Sequence, residues 1–113
     1  MKLLKLIIKS LDDTKLTDLK IYDTKEITPF FEFAIVATAN NPRLLKAAVD
    51  HLKKDAIDGG FSVKGIEGAD SEAWILVDLG QVIVNVFVEE ERNRYDLDKL
   101  WRTLPQIGVD TLK

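Results

Sequence analysis

Residues 74–87 read WILVDLGQVIVNVF, and their period-two alternation on either side of Gly80 and Gln81 decides the fold. Two β-strands joined by a two-residue turn account for the pattern, because Gly in the first turn position accepts the backbone conformation of a tight hairpin. Counting outward pairs Leu79 with Val82, Val77 with Val84, Ile75 with Val86 and Ala73 with Val88, a wholly aliphatic face. The other face pairs Asp78 with Ile83, Leu76 with Asn85 and Trp74 with Phe87. The aliphatic face requires a layer of helices. The mixed polar and aromatic face is left for water, the C-terminal segment or a partner.

Two segments can supply the helices. In MKLLKLIIKSLDD, residues 1–13, Leu3, Leu4, Ile7, Ile8 and Leu11 recur at helical spacing. Lys5 and Lys9 interrupt the apolar run and no small-residue cleavage site follows, so it reads as an amphipathic helix and not as a signal peptide or membrane anchor. In NNPRLLKAAVDHLKKDAIDGG, residues 40–60, Asn40 or Asn41 is the N-cap, Pro42 opens the first turn and Gly59–Gly60 stops the helix. Its buried stripe is Leu44, Leu45, Ala48, Val49, Leu52 and Ala56.

Further strands are expected at DLKIYD, around residues 19–23, at FFEFAIVATA, residues 30–39, and at FSVKG, residues 61–65. YDLDKLW, residues 95–101, reads as one short closing helix, and residues 105–113 as a loose tail. The 113 residues therefore make a single α/β domain, a sandwich with a mixed five-stranded sheet and flanking helices.

Composition narrows the function classes. The chain has no Cys and one His, so disulfides are excluded and zinc or iron–sulfur sites lose their preferred ligands. A reducing compartment fits. The net charge of −3 argues against nonspecific binding to nucleic acid. Its distribution is uneven: EEERNRYDLD, residues 89–98, carries that whole net charge.

No catalytic set stands out. His51 borders the apolar stripe of its helix, without a Cys or Ser partner. IEGADSE lacks the Lys and spacing of a phosphate loop. Glu89–Glu91 reads as a solvated acidic run rather than a metal cage. Asp78, beside a hairpin turn, is expected to bond nearby backbone. What remains unabsorbed is a set of aromatics, Trp74, Phe87, Tyr95 and Trp101, beside an acidic stretch, a combination that suits either a core or a protein interface.

FAIVATANNPR, then Glu67–Gly68, AWILVDLGQVIVNVF and RNRYDLDKLW follow one another in an order and spacing that resembles the ribosomal silencing factor family, also called Iojap-like or YbeB-like. The stretch from Arg92 to Trp101 is its most specific part. The family commonly has His where this chain has Asn85, and Gly, Ser and Gln at the positions of Ala39, Asn41 and Leu44. The resemblance implies a nucleotidyltransferase-like topology without that superfamily's Gly-Ser motif and paired carboxylates, and hence no enzymatic activity and no cofactor or metal.

It further implies a cytoplasmic translation factor that is a homodimer when free. Such a factor would bind the large ribosomal subunit through the fourteenth large-subunit protein and keep the small subunit from joining when nutrients are scarce. Large-subunit biogenesis and a metal-dependent nucleotidyltransferase-like reaction are the alternatives. On this reading the partner-binding residues are Trp74, Asp78, Arg92, Tyr95, Asp96, Leu97, Leu100 and Trp101, and neither membrane nor sequence-specific nucleic acid is a partner.

Overall fold

The computed structural model describes residues 1–112. In chain order the elements are helix α1 (Lys2–Asp13), strands β1 (Thr17–Asp23) and β2 (Phe33–Ala39), helix α2 (Pro42–Asp58), strands β3 (Gly65–Glu67), β4 (Trp74–Asp78) and β5 (Val82–Val88), helices α3 (Glu89–Tyr95) and α4 (Leu97–Leu100), and strand β6 (Gln106–Ile107), followed by a short 3₁₀ turn at Val109–Thr111. The sheet is mixed, in the order β3-β4-β5-β2-β1-β6.

Its centre is the parallel pair β2 and β5, in register from Phe33 opposite Val82 to Ala39 opposite Val88. Every residue of β2 is buried, as expected of a strand covered on both faces. Parallel strands need a crossover, and α2 supplies it. Asn41 caps that helix by accepting from the Leu44 amide at 2.8 Å, with Pro42 in the first turn. The hairpin keeps the register counted from the sequence, including Trp74 opposite Phe87, Leu76 opposite Asn85 and Asp78 opposite Ile83. Gly80 takes φ +83°, and the Gln81 amide closes the turn on Leu79 O at 3.1 Å.

The two faces of the sheet are covered unequally. The apolar stripes of α1 and α2 form the main core with Ile35, Ala37, Ile75, Val77, Val84 and Val86. On the opposite face a smaller cluster of Tyr22, Val36 and Phe87 is roofed by Trp74, Leu97, Trp101 and Leu104. The short C-terminal helices therefore cover only part of that face.

Three expectations are corrected. The sheet has six strands, not five. The strand expected at Phe61–Gly65 begins only at Gly65: the Phe61 amide still bonds Ala56 O at 2.9 Å, so residues 61–64 are the passage from the end of α2 to the sheet edge. The tail after Pro105 is held down as far as Leu112, residue 113 lying outside the described residues: β6 pairs with β1 through Ile21 opposite Ile107, and Ile107, Val109 and Leu112 pack on the main core.

Candidate functional site

The surface that the smaller cluster leaves open is built around a buried arginine. Arg92 is 5% exposed. Its Nε donates to Asp98 Oδ2 at 2.9 Å and its Nη2 to Asp98 Oδ1 at 3.1 Å, a two-point pair. Nη1 donates to Thr38 Oγ1 at 2.9 Å and to the Asp18 carbonyl at 2.6 Å. That carbonyl is presented by a bulge in β1, where the pairing slips between Thr17 and Lys20 and Asp18 takes φ +50°. The buried Tyr22 hydroxyl donates to the same carboxylate at 2.5 Å. Burial pushes the Asp98 carboxyl up, but the hydrogen bonds from Arg92 and Tyr22 and the charge of Arg92 outweigh it and hold the group below its ordinary value. Burial, then the bond to Asp98, pushes the Tyr22 hydroxyl well above its ordinary range.

This knot fixes α3 and α4 against β1 and β2. Between the two helices Asp96 sits in the left-handed region at φ +52° and accepts from the Lys99 amide at 3.2 Å. The closing helix expected from YDLDKLW is α4, shortened to Leu97–Leu100, and it is preceded by a helix the sequence reading did not expect, α3, set off by the sharp turn at Asp96. The turn sends Tyr95 and Leu100 outward, 51% and 69% exposed.

Beside this ridge runs a groove of about 500 Å³ lined by Phe30, Phe31, Trp74, Leu76, Ile83, Leu97 and Trp101, with Glu67, Asp78 and Asn85 also on its walls. Trp74 stacks on Phe87 with centroids 4.8 Å apart and meets Tyr95 at 4.7 Å. Its indole N–H donates to Asn85 Oδ1 at 3.1 Å, and Asn85 Nδ2 donates to Ile35 O at 3.3 Å. The buried Asn85 thereby orients the indole that forms the groove floor. Asp78 accepts from the Gly80 amide at 2.8 Å, the local role anticipated for it. Trp101 packs on Tyr22 with centroids 5.7 Å apart and ring planes tilted by 53°.

Of the residues singled out in the sequence, Trp74, Asp78, Leu97 and Trp101 line the groove and Tyr95, Asp96 and Leu100 form the ridge. Arg92 lies beneath them and touches no solvent of consequence. Phe30, 85% exposed at the groove mouth, and Tyr22 were not among them. The Pro29-Phe30-Phe31 run was available as a signal, but it reads equally as the start of β2.

Comparison with known proteins now separates these readings. The family model described as "Ribosomal silencing factor during starvation" matches residues 1–113. This chain belongs to the ribosomal silencing factor family. The ribosomal silencing factor of Halalkalibacterium halodurans is 33% identical over 109 residues, covering 96% of this chain and 93% of the relative. A crystal structure of a protein from Chromobacterium violaceum superposes with a TM-score of 0.86 at 36% identity, covering 89% of this chain and 84% of that one. A mouse protein named "Mitochondrial assembly of ribosomal large subunit protein 1" is 38% identical over 53 residues, 42% of this chain and 23% of its own length. Among the described residues of this silencing-factor chain, no helix is long and apolar enough to cross a membrane.

Proposed function

We propose that this silencing-factor chain binds the large ribosomal subunit through the fourteenth large-subunit protein, and that the bound chain stands where the small subunit would dock. The observation that carries the reading is the exposed apolar ridge, Tyr95 and Leu100, held by a buried ion pair at the lip of an aromatic groove. A rigid apolar anchor beside a pocket is the arrangement that concentrates binding energy at protein interfaces. Exposed Glu67, Glu89, Glu90 and Asp96 offer acidic contacts for a basic ribosomal protein, interspersed with Arg94, Lys99 and Arg102 beside the ridge. The mechanism is steric and uses no chemical step.

The test is sedimentation of purified subunits with and without the chain. Comigration with the large subunit and a loss of joined particles support the reading; undiminished joining with no comigration overturns it. A second reading, a role in large-subunit assembly, is favoured by the name of the mouse relative. It predicts that depletion of the protein lets immature large subunits accumulate in growing cells. A free homodimer, proposed with the first reading, is checked by light scattering across a wide concentration range.

A further inference from the structure

The far side of the molecule carries a cluster that the ribosomal reading does not use. Asp13 ends α1, and His51 and Asp55 lie one turn apart on the α2 face that meets it. One ligand atom from each of the three residues lies within 4.8 Å of the other two. His51 Nε2 is 3.1 Å from Asp55 Oδ2 and 3.9 Å from Asp13 Oδ2. That nitrogen is closed off from solvent and makes no hydrogen bond of acceptable geometry. An imidazole nitrogen and two carboxylate oxygens gathered within 4.8 Å of one another form an arrangement that a shared cation satisfies.

We propose that Asp13, His51 and Asp55 form a binding site for a divalent transition-metal ion of the zinc class, clamping the end of α1 to the middle of α2. Tetrahedral zinc, with bonds of about 2.0–2.1 Å to nitrogen and oxygen, sets neighbouring ligand atoms roughly 3.3 Å apart. The two measured separations bracket that value, and rotation of the half-exposed Asp13 side chain closes the longer one. One imidazole with two carboxylates selects zinc and its first-row neighbours over magnesium and calcium, which take oxygen ligands. Solvent fills the fourth position. The Lys9 ammonium, 3.3 Å from Asp13 Oδ2, is the resident competitor, but its side chain is 79% exposed and the pair is readily displaced.

The experiment is calorimetric titration of the untagged full chain with zinc chloride, alongside thermal melts in zinc, magnesium and calcium. Expected are one zinc per chain and a melting temperature raised by zinc alone, since a ligand bound only by the folded state stabilises it. His51→Ala and Asp55→Asn should melt like the parent without metal and lose the zinc-dependent rise. Their affinity should fall by more than the roughly 10–100-fold typical of losing an outer-shell partner. Lys9→Ala should bind zinc more tightly, a result that a simple ion pair between His51 and Asp55 does not produce. Failure of zinc, cobalt and nickel to give saturable binding overturns the proposal, and so does zinc binding that survives His51→Ala. The site lies in the α1–α2 layer, across the sheet from the ridge, so the outcome is independent of ribosome binding.

Discussion

Arg92 and Asp98, six residues apart, meet through two parallel hydrogen bonds of 2.9 and 3.1 Å across the turn at Asp96. The pair closes the α3–α4 corner from within, while Tyr22 and Thr38 tie it to neighbouring strands. Because the guanidinium is buried, its contribution is conditional on the carboxylate: removing one member strands the other in a poor solvent.

Asp98→Asn is therefore expected to destabilise the fold by about 3 kcal/mol at neutral pH, the cost of leaving a buried charge without its partner. The pH dependence has a definite sign. Asp98 titrates lower in the folded chain than in the unfolded one, so its stabilisation is complete above the unfolded value of about 4 and fades as pH falls through the lower folded value. Tyr22 titrates higher when folded, so stability declines as pH rises above the unfolded value of about 10. Denaturant melts across pH should show Asp98→Asn flattening the acid limb and Tyr22→Phe flattening the alkaline one.

Leu100 and Trp74 should separate binding from stability. Leu100→Ala removes an exposed side chain and is expected to leave the melting temperature nearly unchanged. It should weaken large-subunit binding by about 2 kcal/mol, roughly thirtyfold. Trp74→Ala loses the stack on Phe87 and abandons Asn85 Oδ1, and should cost about 3 kcal/mol of stability before any effect on binding. Parallel melts and subunit-binding titrations decide; a Leu100→Ala chain that binds like the parent moves the interface elsewhere.

Asn85 offers a test of side-chain equivalence. Asn85→Ala leaves the Trp74 indole N–H without its acceptor and removes the side-chain bond to the Ile35 carbonyl, and is expected to cost about 2 kcal/mol. Asn85→His keeps one acceptor and one donor on a ring, and should retain most of the stability. Equal losses in thermal denaturation for both variants would show that volume, not hydrogen bonding, governs the position.

Glu90→Lys probes the acidic contacts of this side without touching the core, because Glu90 is exposed on the first turn of α3. Association with the large subunit should slow and lose part of its salt dependence, with dissociation little altered. Stopped-flow binding at two ionic strengths measures this. Asp96→Lys is a poorer probe, since Asp96 caps the Lys99 amide and holds a positive φ that a long side chain resists.

Legibility in the sequence tracked the range of the interactions. The hairpin register followed from alternation and one glycine, and the helix α2 from its cap and its stop, all local signals. The onset of β3 was misplaced because Phe61 and Val63 alternate like strand residues while packing on the main core as the chain passes to the sheet edge. The break at Asp96 escaped because Asp serves in a helix or as its cap, and only the tertiary knot decides between them. The role of Arg92 was out of reach: its acceptors at Asp18 and Thr38 lie 74 and 54 positions away. Part of the candidate surface was visible as aromatic residues, yet which of them face solvent depended on that hidden arginine.

The sheet ends in rungs of three residues at β3 and two at β6. Such stubs give an incoming strand almost no ladder to extend, and the chain is thereby protected against growing into open-ended ribbons. Recognition of another molecule is consequently left to side chains, which carry identity, and not to backbone amides, which do not.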